Sequence, residues 1–258
     1  MHNNSIKNNW YNDFYTKFYF TYFHQKKDNA SQTKKEVNFI CKILQLPSRA
    51  KILDLACGSG RHALELALQN FDVTGIDFNQ QALKMARAKA QKSNLPIKFT
   101  LRDMRSLQFK NEFDAVICMY TSFGYFINEK ENTKVLKNIS NSLKAGCLLL
   151  LDLPNKYWTI HRIPRKTCRK FKNTSILESR FFDSTKKIFH NKIVFINPDN
   201  KTEEISTYLR LYDLKEIKDK LASSGFKYLK SFGDYNIKTN FETTKSPRMI
   251  ILAKKISF

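Results

Sequence analysis

With 258 residues and 42% hydrophobic content, the chain is long enough to bury a sizeable core as one large domain. Its five cysteines (Cys41, Cys57, Cys118, Cys147, Cys168) are odd in number, scattered and without C-x-x-C spacing. That excludes a disulfide framework or a cysteine-based zinc site, and it predicts no metal and reduced, buried thiols in a cytoplasmic protein. The net charge of +22 raises RNA or another polyanion as a partner, but 34 of the 45 basic residues are Lys, a bias that AT-rich coding alone produces, so charge by itself describes a solvated basic surface.

Residues 1–15 hold no signal-type apolar core, and no stretch reaches the roughly 18 apolar residues of a membrane span, so no membrane association is expected. Residues 1–30 are dense in aromatics (Trp10, Tyr11, Phe14, Tyr15, Phe18 and others) and must pack on something. From Gln32 to Leu46, Val37, Ile40, Cys41 and Leu44 recur at helical spacing, and Leu46-Pro47 closes the segment. KILDLAC (51–57) reads as a buried strand, and Gly58-Ser59-Gly60 turns directly into a helix marked by Ala63, Leu64, Leu66, Ala67 and Leu68. The alternation continues with strand 72–78, helix 80–92, strands 97–103 and 113–120, helix 130–143 and strand 147–153. Such alternation predicts an α/β fold with a doubly wound, mainly parallel sheet. After Pro154 the pattern changes to antiparallel segments at 176–183, 187–196 and 204–213, then a helix at 214–224 and strands near 227–235 and 248–254. The basic run 164–172 (PRKTCRKFK) is read as a solvated loop, with an RNA-phosphate grip as its functional alternative.

In an open parallel sheet the ligand crevice lies beyond the carboxyl ends of the strands, at the point where strand order reverses. Asp54, Asp77, Asp103 and the Met119-Tyr120 pair all fall at or near such ends. Ala56, Gly58 and Gly60 supply a turn without bulk, and the following helix aims its first amides at the crevice. A glycine turn alone is weak evidence. Asp77, 17 positions after Gly60 at the end of the second strand, strengthens it, because a carboxylate there accepts both hydroxyls of a ribose. Helix capping is the competing role, and Asn79 is at least as good a cap.

The segments ILDLACGSGRHALELA, VTGIDF, LRDMRSL, FDAVICMYTSFGYF and LKAGCLLLLDLP resemble the class I S-adenosylmethionine-dependent methyltransferases over about residues 35–155. The similarity is greatest to a bacterial subgroup with G-R-H-A, D-M-R and S-F-G-Y-F segments, and the tail from LESRFFD to SGF extends it. The resemblance implies a seven-stranded Rossmann-like sheet with an antiparallel insertion after the fifth strand. It implies S-adenosyl-L-methionine as methyl donor, held by Asp54, Ala56, Cys57, Gly58 and Gly60 at the methionine end, Asp77 and Phe78 at the ribose, Asp103 and Met104 at the adenine, and Met119 and Tyr120 beside the methionine moiety. Ala63 satisfies the third small position of a nicotinamide fingerprint, so the glycine loop does not exclude a dehydrogenase; Asp103-Met104 and S-F-G-Y-F decide against it.

Methyl transfer is an in-line displacement in which positioning supplies much of the catalysis. An amine acceptor needs a desolvated site, whereas a hydroxyl benefits from a general base, for which His62 and His161 are the weak candidates. Tyr11 and Tyr15 in the aromatic N-terminus and Ser122 and Tyr125 after the fourth strand are the expected acceptor-contacting residues. The expected organisation is one domain, with an N-terminal helical lid (1–46), a donor-binding core (47–155), an antiparallel insertion (156–212) and a final helix and strands (213–258). The leading reading is methyl transfer to nitrogen or oxygen of a small molecule. An RNA or protein methyltransferase is second and a noncatalytic donor-binding module third.

Overall fold

The computed structural model describes residues 9–23 and 29–256; the remainder of the expected N-terminal lid, residues 1–8 and 24–28, lies outside them. Helix α1 (Trp10–Asp13) passes through a π-helical stretch (Phe14–Tyr19) into α2 (Phe20–Tyr22), and α3 spans Ala30–Leu44. Strand β1 (Lys51–Leu55), α4 (Arg61–Leu68), β2 (Asp72–Asp77), α5 (Gln80–Lys92), β3 (Lys98–Leu101), a 3-10 turn (Met104–Ser106), β4 (Phe113–Cys118), α6 (Glu129–Ser142) and β5 (Leu143–Pro154) follow in alternation. Then come α7 (Lys156–Arg162), β6 (Lys166–Phe171), β7 (Thr174–Asp183), β8 (Ile188–Ile196), β9 (Thr202–Arg210), α8 (Leu214–Ser223), β10 (Phe226–Phe232) and β11 (Arg248–Lys255).

Seven strands form one sheet in the order β10-β11-β5-β4-β1-β2-β3, in which β11 runs antiparallel to both of its neighbours. Successive side chains of a strand face opposite sides, and both faces here are apolar. Leu53 and Leu55 of β1 pack with Val135, Leu136 and Ile139 of α6 and Ile217 and Leu221 of α8. Ile52 instead packs with Val37 and Ile40 of α3, Leu66 of α4 and Leu83 and Ala86 of α5. Asn29, Asn79, Asn128 and Asn155 start α3, α5, α6 and α7 by accepting backbone N–H groups, and Asp213 with Glu216 closes a capping box on α8. Each such cap contributes about 1 kcal/mol.

The second sheet, β6-β7-β8-β9, is antiparallel throughout. The N-terminal helix joins the two sheets. Trp10 and Tyr11 enter the main core, whereas Phe18 stacks on Phe195 at 4.7 Å in a cluster with Ile176 and Ile193 of the small sheet.

Three expectations need correction. The basic run 164–172 is not a loop: Lys166–Phe171 is edge strand β6, where β pairing with β7 orders the backbone and Arg169 reaches Glu178 (3.7 Å) and lies 4.8 Å over the Phe23 ring. Residues 156–162, also without an expected element, form α7, capped by Asn155. Of the thiols, Cys57 and Cys118 are buried, Cys41 and Cys147 are half-buried and Cys168 is exposed on β6.

Candidate active site

Strand order reverses between β1 and β4: from β1 the chain moves outward through β2 and β3, then returns to lay β4 on the other flank of β1. At that reversal the carboxyl ends of the strands open into a cavity of about 1120 Å³, its open mouth included. Asp54, Ala56, Cys57, Gly58, Asp77, Phe78, Asp103, Met104, Met119 and Tyr120 all line it, as do Tyr11, Tyr15, Ser122 and Tyr125.

Two of the predicted residues stand apart. Gly60 does not line the cavity: it holds a positive φ of 79° at the start of α4, and a Cβ there would sit 3.0 Å from the Ala86 Cβ and 3.1 Å from the Phe99 ring. Its smallness serves the packing of the turn. His161 lies outside the cavity as well, exposed on α7 with its ring 4.5 Å from Tyr157. His62 does line the cavity, but its Nε2 is 2.8 Å from Glu36 Oε2, and that tie makes it a buried structural contact.

Each of the three carboxylates that line the cavity is held differently. Asp54 is 1% exposed, and its Oδ2 is buried without a hydrogen-bonding partner. Burial pushes its carboxyl upward, against the pull of nearby His62 and Arg61. A buried unpaired carboxylate oxygen is costly unless a donor group meets it, so this atom fits an ammonium or a water that bridges to one. Asp77 accepts from the Gly58 amide through Oδ2 and the Asn79 amide through Oδ1, both at 2.8 Å. Burial raises its carboxyl to about 6 against the opposing pull of those amides. Asn79 takes the capping role on α5 through the Ala82 amide, which leaves Asp77 to face the cavity. Asp103 is gripped by the fork of Arg105, which together with the Arg105 amide holds its carboxyl below the usual range despite partial burial.

Beyond β4 the chain makes a tight turn in which Tyr120 (φ 58°) and Thr121 (φ 66°) are both left-handed, a conformation disfavoured for non-glycine residues. Fully buried Asp152, at the end of β5, holds that turn: its Oδ2 accepts from the Tyr120 amide (2.8 Å) and the Tyr235 hydroxyl (2.6 Å), and its main-chain oxygen from the Thr121 amide (3.1 Å). Its Oδ1 accepts from Arg248 Nε and Nη2 at 2.8 and 2.6 Å. Two guanidinium groups lie over the Tyr120 ring at cation–π distance, Arg61 at 5.0 Å and Arg248 at 5.5 Å from its centroid. Arg61 is in turn ion-paired with Glu36.

Sequence reasoning missed Arg61, Glu36, Arg105, Asp152, Tyr235 and Arg248. The signal for two of them was available. Asp152 interrupts the apolar run CLLLLDL, and Glu36 falls on the helix face that carries Val37 and Ile40; an acid on a buried face needs partners.

The rest of the cavity is aromatic. Tyr15 and Tyr125 face each other with their hydroxyl oxygens 2.6 Å apart. Burial raises both phenols, Tyr125 to about 12, so the pair is neutral at physiological pH. The N-terminal helix is latched here by Asn79 Nδ2, which donates to the Tyr15 main-chain oxygen (3.1 Å). Phe126 is buried and also lines the cavity, while Phe123 is wholly in the core against Tyr212.

Residues 52–146 match a family model described as a methyltransferase domain. The chain is 28% identical over 244 residues to a protein of Geobacillus sp. (strain WCH70) that carries a methyltransferase name, covering 92% of this chain and 98% of that one. It is also 31% identical over 149 residues to a glycine/sarcosine N-methyltransferase of Halorhodospira halochloris, covering 55% of this chain and 56% of that one. Among solved structures, an S-adenosylmethionine-dependent methyltransferase from Clostridium acetobutylicum superposes with a TM-score of 0.78 at 23% identity, covering 96% of this chain and all of that one. An amino pentose methyltransferase from Micromonospora echinaspora, solved with S-adenosylmethionine bound, gives 0.64 at 16% identity over 98% of this chain and all of that one, a likeness of fold.

Proposed function

We propose that the chain, whose residues 52–146 match a methyltransferase domain, works as a class I S-adenosylmethionine-dependent methyltransferase and transfers the methyl group to a nitrogen of a small-molecule acceptor seated against Tyr15, Ser122 and Tyr125. The donor supplies an electrophilic methyl group on a sulfonium; the residues of the chain bind, orient and exclude water. In this reading Asp54 meets the ammonium of the donor, Asp77 its ribose hydroxyls, and Asp103 with Met104 its adenine, while Ala56, Cys57 and Gly58 admit its backbone-proximal edge and Met119 and Tyr120 flank the methionine portion. Phe78 packs along the ribose–adenine side.

The observation that carries the reading is that donor-side carboxylates and acceptor-side tyrosines line a single cavity under the N-terminal helix. Residues 9–23 act as a cover over a single-domain enzyme, and the small sheet (166–210) supports that cover through Phe195. Nitrogen is favoured over oxygen on two grounds. A neutral amine brings its own lone pair, and the neutral Tyr15–Tyr125 pair offers oxygen acceptors for its N–H groups without removing a proton. His62, the base candidate inside the cavity, is engaged by Glu36. The glycine/sarcosine N-methyltransferase among the relatives supports the same choice.

Calorimetry with S-adenosylmethionine and S-adenosylhomocysteine tests the donor half. Micromolar binding by wild type that is lost in Asp77→Ala is expected, and absence of binding by folded wild type would overturn the reading. A following screen of small primary and secondary amines against matched alcohols tests the acceptor half, and transfer confined to alcohols would sink it. Activity on RNA that collapses between low and moderate salt would instead revive the nucleic-acid reading prompted by the net charge of +22.

A further inference from the structure

Arg105 stands at the meeting point of three segments that are distant in sequence. Its Nε and Nη2 grip the Asp103 carboxylate at 2.7–3.1 Å, its Nη1 donates to Glu131 Oε2 in the first turn of α6 (2.8 Å), and its Nη2 donates to the Tyr11 hydroxyl (3.0 Å). The plane of the group lies 4.4 Å over Phe126. The Tyr11 hydroxyl donates in turn to Asn9 Oδ1 (3.2 Å), and the Tyr11 ring stands edge-on to Phe78 (5.3 Å) and Phe126 (5.8 Å). One guanidinium therefore fixes a carboxylate on the floor of the cavity and an aromatic residue in its roof. A planar fork of five N–H donors can serve all three partners together, which a lysine ammonium cannot do in the same geometry.

We propose that Arg105 is a positioning residue that couples donor binding to closure of the N-terminal helix. This rests on the placement of the donor proposed above. A donor held at Asp103 selects the carboxylate orientation that Arg105 also requires, and Arg105 in that orientation presents Nη2 to Tyr11. Coupling between two binding events is reciprocal, so docking of Tyr11 tightens the donor by the factor with which the donor favours docking. The acceptor wall, which includes Tyr15 one helical turn beyond Tyr11, is thereby completed when the donor is in place.

The test is a double-mutant cycle on full-length protein, with S-adenosylhomocysteine as the probe and Trp158→Phe as the common background. That background leaves Trp10, on the N-terminal helix, as the single tryptophan reporter. Tyr11→Phe keeps the ring and removes one hydroxyl, so it preserves the fold and should weaken the probe about fivefold, the worth of one hydrogen bond. Arg105→Lys should weaken it more, and Tyr11→Phe should then cost nothing further. In wild type the probe should shield Trp10 from acrylamide quenching, and in either variant that shielding should be lost at saturating probe. Additive affinities, or equal shielding in all variants, would overturn the coupling while leaving the donor site standing. A folded wild type that binds no probe would sink the donor placement itself, and the coupling built on it.

Discussion

The two halves of the cavity are built on opposite principles. The half proposed for the donor is made of main-chain amides and carboxylates at the ends of adjacent parallel strands: Gly58 and Asn79 amides on Asp77, and the unpaired Asp54 oxygen one strand away. The half proposed for the acceptor is made of ring faces and hydroxyls from segments that only tertiary structure brings together, Tyr11 and Tyr15 from the N-terminal helix and Tyr125 from the loop after β4. The lesson is that one wall of the cavity is fixed by the sheet itself, while the other depends on how a helix packs against it.

The largest perturbation should come from the acid that holds the turn after β4. Asp152→Ala leaves the half-buried Arg248, the Tyr235 hydroxyl and the Tyr120 amide without their shared acceptor, and thermal unfolding should report a loss of about 3 kcal/mol. A well-folded Asp152→Ala protein with unchanged donor affinity would show that the 119–121 turn needs no such support. Next in size, Asp77→Ala should lower donor affinity roughly 100-fold, the worth of two hydrogen bonds to a charged acceptor, with the aromatic half left intact by circular dichroism in the near ultraviolet.

The pH dependence sharpens the contrast further. The folded Asp77 carboxyl is raised from an ordinary 3.8 to about 6, so between those values the native chain holds a proton that the unfolded chain has lost. The stability this group contributes is therefore full at low pH and fades as pH rises through about 6. Donor affinity should run the other way, falling about tenfold per pH unit below about 6, because ribose hydroxyls require the carboxylate. A calorimetric series from pH 5 to 8 that stays flat would remove Asp77 from the ribose. The smallest effect belongs to Tyr125→Phe. It removes one hydroxyl from the buried pair, costs about 1 kcal/mol of stability, and should leave donor affinity within about twofold while kcat/KM for the acceptor drops about tenfold.

Legibility in the sequence followed the same division. Strand, glycine turn, helix and acid recur at fixed local spacing, so β1, β2, the turn at Ala56–Gly58 and Asp77 could be found from residue types alone. Position did not always give purpose: Gly60 belongs to the same spacing yet serves close packing on Phe99. The acceptor side offered only aromatic density, which fits core and pocket equally, and the structure divides it so, with Phe123 in the core and Phe126 at the cavity. Arg248 and Tyr235 could not be found by spacing at all, because what defines them is a partner in another part of the chain; Arg105 stands in the D-M-R segment beside Asp103, but its ties to Glu131 and Tyr11 could not be read there. Strand β6 was hidden for another reason. Clustered basic residues on an edge strand look like a loop by composition, although charge on an exposed edge is a common guard against unwanted strand pairing.

The place of β11 inside the large sheet carries a kinetic consequence. It lies between β5 and β10, and its first residue, Arg248, answers an acid 96 positions earlier in the chain. Pairing at such separation requires closure of a long loop before any contact repays it, and such contacts form late. The Tyr120 turn that Asp152 steadies should thus be among the last features to settle during refolding. Donor binding, followed in real time after dilution from denaturant, should return with that slow phase and trail the early recovery of helix.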